Sequence, residues 1–384
     1  MMKKSLVALA ALAVVGVASA QSSVTLYGVL DIGIGKVKGQ SWGLNNGETY
    51  LTQSVANGAN NAQSATKDGF NSTSVIGFRG SEDLGGGMKA NFNLQTSGID
   101  LASSGTALAF GREAWVGLEG GFGAVQLGRS SSVAAKTMGG FDFNGTSASS
   151  ALANAGVSAV TWYGTSRRTA QIQYTTPNFG GFTGRLGLTP KGNAAANGFA
   201  VPGTAKDHFS IAGSFANGPL AAAIVIETKS TTALRDAYAM GVSYDFGVAK
   251  IGAAYNRREA AGVAGYDQLA GAIGGNNGTG GGRGASVGVV APIGAFYVGL
   301  QYARNTETHA KATELFAGYN LSKRTKIYAD YGRVTGVNAV AASPAATAAG
   351  AVSNGAGGFQ YQGIGNNPIP TNPSLFGIGV VHSF

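Results

Sequence analysis

The chain has 384 residues, including 63 glycines and no cysteine, and its formal net charge at neutral pH is +9. The absence of cysteine excludes a disulfide-stapled fold and a thiolate metal site. The positive charge includes no run of basic residues, which argues against nucleic-acid binding. The glycines alternate with aromatic and β-branched residues, a pattern that indicates β-strands rather than a glycine-rich linker.

The first 20 residues have the pattern of a secretory signal peptide. Lys3 and Lys4 precede an apolar run, and Ala18-Ser19-Ala20 forms a cleavage site of the A-x-A type. We therefore expect an exported protein whose mature domain covers residues 21–384. No later apolar run approaches the roughly 20 residues of a membrane helix, so any membrane crossing would have to use strands.

Alternation of apolar and polar residues between turn signals predicts sixteen strands. In chain order they are SSVTLYGVLDIGIG, NSTSVIGFRG, MKANFNLQTSG, REAWVGLE, AVQLGRS, TAQIQYTTP, FTGRLGLT, DHFSIAGSFA, LAAAIVIETKS, DAYAMGVSYDF, AKIGAAYNR, ASVGVVAPI, FYVGLQYARN, ELFAGYNL, KIYADYGRV and SLFGIGVVHSF. Very short turns alternate with long connections at about residues 40–70, 98–110, 131–160, 191–206, 259–283 and 336–373. This layout predicts an all-β fold, a 16-stranded antiparallel transmembrane β-barrel with short periplasmic turns and long external loops. A barrel of about 16 strands encloses an aqueous channel.

The last predicted strand has one large apolar face. Phe376, Ile378, Val380 and Phe384 share a parity with His382, while small residues occupy the other parity. We expect the apolar face to meet lipid and the strand to pair with the first one, which closes the barrel. The same four residues are the expected barrel-assembly signal, read by the outer-membrane assembly machinery.

Five stretches resemble the general porins of β-proteobacterial outer membranes, which are trimeric 16-stranded channels. They are SSVTLYGVLDIGI, IGFRGSEDLGGGMKANFNLQTSG, FGREAWVGLEGGFGAVQLGRSSS, QYTTPNFGGFTG and the terminal strand that ends in Phe384. The resemblance implies a homotrimer in the outer membrane of a Gram-negative bacterium, in contact with lipid and lipopolysaccharide. It also implies that the third external loop folds into the lumen.

In that family the inward loop faces arginines of the barrel wall and forms the constriction. Here the corresponding loop covers about residues 131–160, where Asp142 is the only acid. The resemblance places wall arginines at Arg112, in the FGRxA position, and at Arg167 or Arg168, where the sixth strand begins. Asp142 could equally be a turn-forming residue.

Strand parity supplies further candidates for the pore lining. The expected lumen bases are Arg79, Lys89, Arg112, Arg167 and Lys326, and the expected lumen acids are Asp31 and Asp330. An excess of bases in a narrow aqueous constriction predicts a mild anion preference, although the arginines could instead neutralise carboxylates across the lumen. Similar sequences often carry arginine where this chain has Val75, which predicts a wider or less selective constriction.

The predicted function is passive diffusion of small hydrophilic solutes and ions, without a cofactor. A substrate-specific channel and a structural or adhesive outer-membrane barrel are the alternatives. The three histidines, His208, His309 and His382, lie far apart in the sequence, and no catalytic or metal-binding constellation is recognisable. Seven aromatic residues could form an interfacial girdle or be ordinary strand formers: Tyr27, Trp115, Tyr163, Tyr255, Tyr302, Tyr319 and Tyr331.

Overall fold

The computed structural model describes residues 23–38, 49–51, 71–96, 99, 109–145, 167–193, 206–229, 236–257, 283–306, 311–335 and 374–384. These residues form sixteen long strands, a three-residue strand, one short α-helix and two 3-10 turns. The strands are β1 (Ser23–Lys38), β2 (Thr49–Leu51), β3 (Val75–Gly85), β4 (Met88–Gln95), β5 (Glu113–Gly120), β6 (Gly123–Ser131), β7 (Arg167–Thr175), β8 (Phe182–Thr189), β9 (His208–Asn217), β10 (Leu220–Glu227), β11 (Ala237–Asp245), β12 (Lys250–Arg257), β13 (Arg283–Ile293), β14 (Phe296–Asn305), β15 (Lys311–Asn320), β16 (Thr325–Thr335) and β17 (Ser374–Ser383). The helix α1 is Val133–Met138, and the 3-10 turns are Gly139–Phe141 and Lys191–Asn193. The expected signal peptide lies outside the described residues.

The sheet is closed by antiparallel pairing between β1 and β17. The first strand is shared, because residues 23–29 pair with β3 whereas residues 29–38 pair with β17. Beside the second half of β1, the short strand β2 pairs Leu51 with Ile34. The predicted 16-stranded barrel is thereby confirmed, and β2 is an addition, since the sequence pattern assigned its residues to the loop at 40–70.

Short and long connections lie at opposite ends of the barrel. Within the described segments, seven turns of two to six residues join strands at what we call the short-turn end. Gly85, Gly86 and Gly87 all have positive φ angles, of 79°, 61° and 77°, a conformation that suits glycine and allows the two-residue reversal between β3 and β4. The remaining connections, including that from β6 to β7, lie at the long-loop end.

Side chains alternate between the outside of the barrel and its lumen. On β1, Leu26 and Ile32 are 54% and 43% exposed, whereas Asp31 is 1% exposed. An apolar outer face is what hydrocarbon surroundings require, and a polar interior accompanies a water-filled channel. No helix in the described part of the chain is long and apolar enough to cross a membrane.

The last strand presents its large apolar residues outward, as the alternation predicted. Phe376, Ile378, Val380 and Phe384 are all exposed on the outer face. The backbone of Phe384 also exchanges two hydrogen bonds with Gly28, from N–H to O at 3.1 Å and in return at 3.0 Å. The barrel seam therefore continues to Phe384, while the role of these residues in assembly stays a prediction.

Candidate pore constriction

The segment after β6 turns into the barrel and begins with α1. Ser132 caps this helix, because its Oγ accepts a hydrogen bond from the Ala135 N–H at 3.0 Å. Val133, Ala134 and Met138 form one buried apolar face. That face packs against small lumen residues of the wall: Ala212, Val225, Ala239 and Ala254. The helix is therefore held on the inner surface of β9 to β12.

Two aromatic rings fix the next part of the loop against glycines of the wall. A Cβ atom on Gly241 would lie 2.7 Å from the ring of Phe141. Similarly, a Cβ atom on Gly252 would lie 2.7 Å from the ring of Phe143. Because these distances are shorter than any real carbon contact, only glycine lets the rings approach the strands so closely. The glycines of β11 and β12 thus form the floor on which the loop lies.

Beyond the rings, the loop is hydrogen-bonded to β14. The Phe143 N–H donates to Gln301 Oε1 at 2.9 Å, and Gln301 Nε2 donates to Asp142 Oδ1 at 2.8 Å. Burial raises the pKa of Asp142 to about 7, although hydrogen bonds from Gln301 and the Asn144 N–H act in the opposite direction. Asp142 therefore binds the wall through Gln301 and also begins a turn, in which its carboxyl accepts the Asn144 N–H.

The loop tip ends in a buried group of amides and carboxyls. Asn144 Nδ2 donates to Glu314 Oε1 at 2.5 Å and to Asp330 Oδ1 at 3.2 Å. Asn71, from the connection that precedes β3, donates through Nδ2 to Asn144 Oδ1 at 3.1 Å and to Asp330 Oδ2 at 3.3 Å. This group ties two connections of the long-loop end to the same strands. We call Asn71, Asn144, Glu314 and Asp330 the tip anchor.

Asp31 extends the tip anchor to the first strand. Its Oδ2 accepts the Asn71 N–H at 3.0 Å, and its Oδ1 accepts the Tyr328 hydroxyl at 2.8 Å. Asp31 and Asp330 both point into the barrel, as expected, but they are only 1% and 4% exposed. Their direct contacts are with Asn71, Asn144 and Tyr328 rather than with water. They therefore hold the connections in place and do not line the open part of the lumen.

Basic side chains also line the water-accessible part of the opposite wall. Arg112 donates through Nε to Gln95 Oε1 at 3.2 Å, and Arg79 lies 5.2 Å from the Tyr27 ring centroid. From the loop side, Lys136 Nζ donates to Gln126 and Gln173 at 2.9 and 2.7 Å. Burial lowers the pKa of Lys136 to about 8, so its ammonium still predominates at neutral pH. Glutamine amides thus orient Arg112 and Lys136, and the Tyr27 ring lies against Arg79.

Arg167 and Arg168 have different positions. Arg168 pairs with Ser130 on the lumen side, whereas Arg167 pairs with Ser131 on the opposite parity. The β6–β7 register shifts here, and Ala170 has a positive φ of 49°, so simple alternation assigned Arg167 to the wrong face. Arg168 is buried, and its Nη2 lies 3.9 Å from Glu227 Oε2.

Several lining residues were not identified from the sequence. The register places Glu113, Glu119, Arg185 and Lys250 on the lumen side, together with the buried acids Glu227 and Glu314. Alternation could have identified them once one residue of each strand was known to face the lumen, because every second residue then shares that face. Tyr27 and Trp115 also face the lumen, which excludes them from an outer girdle. Val75 is buried, and its effect on pore width stays a prediction.

Comparisons with known proteins agree with this architecture. Residues 6–339 match the protein family described as Gram-negative porin. Outer membrane porin protein 32 of Delftia acidovorans is 32% identical over 352 residues, which cover 85% of this chain and 88% of that protein. An outer membrane porin protein of Bordetella pertussis is 32% identical over 287 residues, 67% of this chain and 69% of that protein. Among solved structures, the anion-selective porin from Comamonas acidovorans is 25% identical, with a TM-score of 0.66 over 95% of this chain and 100% of that one.

Proposed function

This chain belongs to the Gram-negative porin family of outer-membrane channels, and on that premise we propose a passive diffusion channel for small hydrophilic solutes with a mild preference for anions. The tip anchor and the glycine floor hold the described part of the third loop, residues 132–145, against the wall, and a closed barrel of sixteen long strands is wide enough for an aqueous channel beside it. Relatives of this chain are channels rather than enzymes.

The anion preference is supported by a difference in exposure between lumen acids and lumen bases. Among the described residues, the acids Asp31, Asp142, Glu227, Glu314 and Asp330 are all buried against the loop or the wall. Four acids at lumen positions stay accessible: Asp83, Glu113, Glu119 and Asp245, of which Asp83 and Asp245 lie directly opposite Lys89 and Lys250. The bases Arg79, Lys89, Arg112, Lys136, Arg185, Lys250 and Lys326 remain partly or fully exposed. A permeating ion therefore meets cationic groups at contact distance more often than carboxylates. This raises the local anion concentration, most strongly at low salt.

The reversal potential under a tenfold KCl gradient tests this proposal. Purified protein in a planar bilayer should give discrete conductance steps, with a reversal potential of the sign set by chloride. Replacing two lumen cations, in Arg112→Gln/Lys136→Gln, should move the potential towards zero, because both side chains lie within reach of permeating ions. Arg304→Gln, which removes a cation from the outer face, is the control and should leave the potential unchanged.

A potential of the sign set by potassium would refute the charge assignment but keep the channel. Absence of conductance steps would refute the channel itself. Saturable block of the current by one solute would instead indicate a substrate-specific channel.

The proposal also includes association of three copies, supported by the family resemblance and by the exposed apolar outer face. Intact-complex mass measurement should then give three times the protomer mass.

A further inference from the structure

Tyr27 lies in the lumen, against the wall that carries two of the exposed arginines. It pairs with Gly77 of β3, and a Cβ atom on Gly77 would collide with its ring. Glycine therefore lets the ring lie directly on the strand. Because Arg79 follows Gly77 by two residues, its side chain is on the same face, and its Cζ lies 5.2 Å from the ring centroid. This distance is within the range of a cation–π contact.

The Tyr27 hydroxyl is connected to a second arginine through an amide. It donates to Asn93 Oδ1 at 2.6 Å and accepts from Gln95 Nε2 at 3.3 Å. Since a hydroxyl has one proton and Asn93 receives it, Gln95 has to approach with its amino group. The amide oxygen is then turned towards Arg112, whose Nε donates to it at 3.2 Å. One tyrosine thus contacts Arg79 directly and orients Arg112 through Gln95.

An aromatic ring can hold a cation without neutralising it, whereas a carboxylate neutralises the cation that it binds. Arg168 illustrates the second case, because it is buried and its Nη2 lies 3.9 Å from Glu227 Oε2. Arg79 is exposed, and none of the described carboxylates forms an ion pair with it. Its charge therefore stays available to permeating ions while the ring restricts its position.

The same arrangement occurs a second time, between β14 and β16. Tyr297 pairs with Gly318 of β15, where a Cβ atom would collide with the ring. The Nζ of Lys326 lies 5.9 Å from the centroid of this ring. Similarly, the Nζ of Lys250 lies 5.3 Å from the ring centroid of Phe143, which rests on the glycine floor. Holding a cation on a ring is therefore a repeated feature of this lumen.

We propose that Tyr27 is a specificity-determining residue of the channel: its ring positions Arg79 and its hydroxyl positions Arg112, so that both guanidinium groups face permeating anions. The inference rests on the proposed channel function and assigns part of the anion preference to a residue without charge. Removal of a cation–π contact at a partly exposed site changes the ratio of held to released arginine about two- to fivefold. Removal of the hydroxyl alone lets Gln95 turn its amino group towards Arg112, where two donors would face each other.

The test measures the permeability ratio of chloride to potassium, from reversal potentials of full-length purified protein in a planar bilayer under a KCl gradient. Tyr27→Phe keeps the ring and removes the hydroxyl, whereas Tyr27→Leu removes both. We expect Tyr27→Phe to lower the ratio and Tyr27→Leu to lower it further, by up to about fivefold. Tyr302→Phe and Tyr302→Leu make the same changes on the outer face of β14 and are the matched controls, which should leave the ratio unchanged.

Combination with arginine substitutions separates positioning from a purely structural role. In an Arg112→Gln background, Tyr27→Phe should have no further effect, because the hydroxyl acts through Arg112. In an Arg79→Gln/Arg112→Gln background, neither substitution of Tyr27 should change the ratio. A change that persists there would overturn the proposal and would show that Tyr27 acts on the shape of the pore. An unchanged ratio in Tyr27→Leu with both arginines present would also contradict it.

Failure of the proposed anion preference gives a different result. If the unmodified protein prefers potassium, that preference is wrong, whereas a further shift towards potassium that requires the two arginines still supports the positioning role of Tyr27. Absence of conductance in the unmodified protein would refute the channel and the positioning role together. Compact mobility on a denaturing gel without heating verifies that a variant is folded. If Tyr27→Leu does not fold, Tyr27→Phe and its dependence on Arg112 still test the proposal.

Discussion

At the scale of single residues, the position of the constriction loop depends on glycines of the wall, whose lack of a side chain lets the loop approach closely. Gly241 has no Cβ atom, and one added there would lie 2.7 Å from the ring of Phe141. Gly241→Ala should therefore push this ring towards the pore axis, lower the single-channel conductance and cost about 1–3 kcal/mol of stability through overpacking. Conductance steps in a planar bilayer and the melting temperature measure the two effects.

Gly213→Ala is the matched control for this substitution. Gly213 also lies in a strand, but a Cβ atom there would have no atom within 4 Å. We expect its conductance and melting temperature to match those of the unmodified protein. If Gly241→Ala behaved in the same way, the ring would not be held by close approach to the wall, and the glycine floor would have no positioning role.

At the scale of elements, the loop after β6 combines a buried carboxyl with amide partners. The pKa of Asp142 is raised to about 7, so the folded loop favours its protonated form over the ionised form. This contribution to stability is fully present below the ordinary value of 3.8 and is lost as the pH rises through about 7. Ionisation of Asp142 should thus loosen the loop between acidic and neutral pH.

Asp142→Asn removes this titration and keeps an oxygen that can accept from Gln301. The melting temperature of the unmodified protein should fall between pH 5 and pH 8, and the fall should be smaller in the variant. Glu314, Asp330 and Asp31 also face the tip, so a residual pH dependence is expected. An identical pH profile for the two proteins would contradict a protonated Asp142 in the folded loop.

The strands could be predicted from the sequence, whereas the packing of the loop could not. Period-2 alternation reports directly on two-sided strands, and it placed Asp31, Asp330 and Arg79 on the lumen parity. It failed at Arg167 because a bulge next to Ala170 shifts the parity, and nothing in the local pattern marks that bulge. The tip anchor joins Asn71 to Asn144 and Asp330 across long sequence distances. Contacts between two connections leave no periodic signal, so the burial of these acids could not be predicted.

At the scale of the whole molecule, the barrel is closed at the seam between β1 and β17. Residues 29–38 of β1 pair with β17, and the backbones of Gly28 and Phe384 add one more pair at the end of this seam. A Cβ atom on Gly28 would collide with the Phe384 ring and would lie 2.7 Å from the Val75 carbonyl oxygen. The ring can move aside, but the backbone oxygen cannot do so without disturbing the pairing of β1 with β3.

Gly28→Ala should therefore weaken the seam on both of its sides. We expect a loss of about 1–3 kcal/mol, seen as a lower temperature at which the barrel loses its compact mobility on a denaturing gel. Gly213→Ala, on the outer face of β9, again serves as the control. Gly28→Ala/Phe384→Leu should recover only part of the loss, because it relieves the ring and leaves the contact with Val75. Full recovery would show that the ring alone determines the effect, and that Gly28 is not required by the backbone of the neighbouring strand.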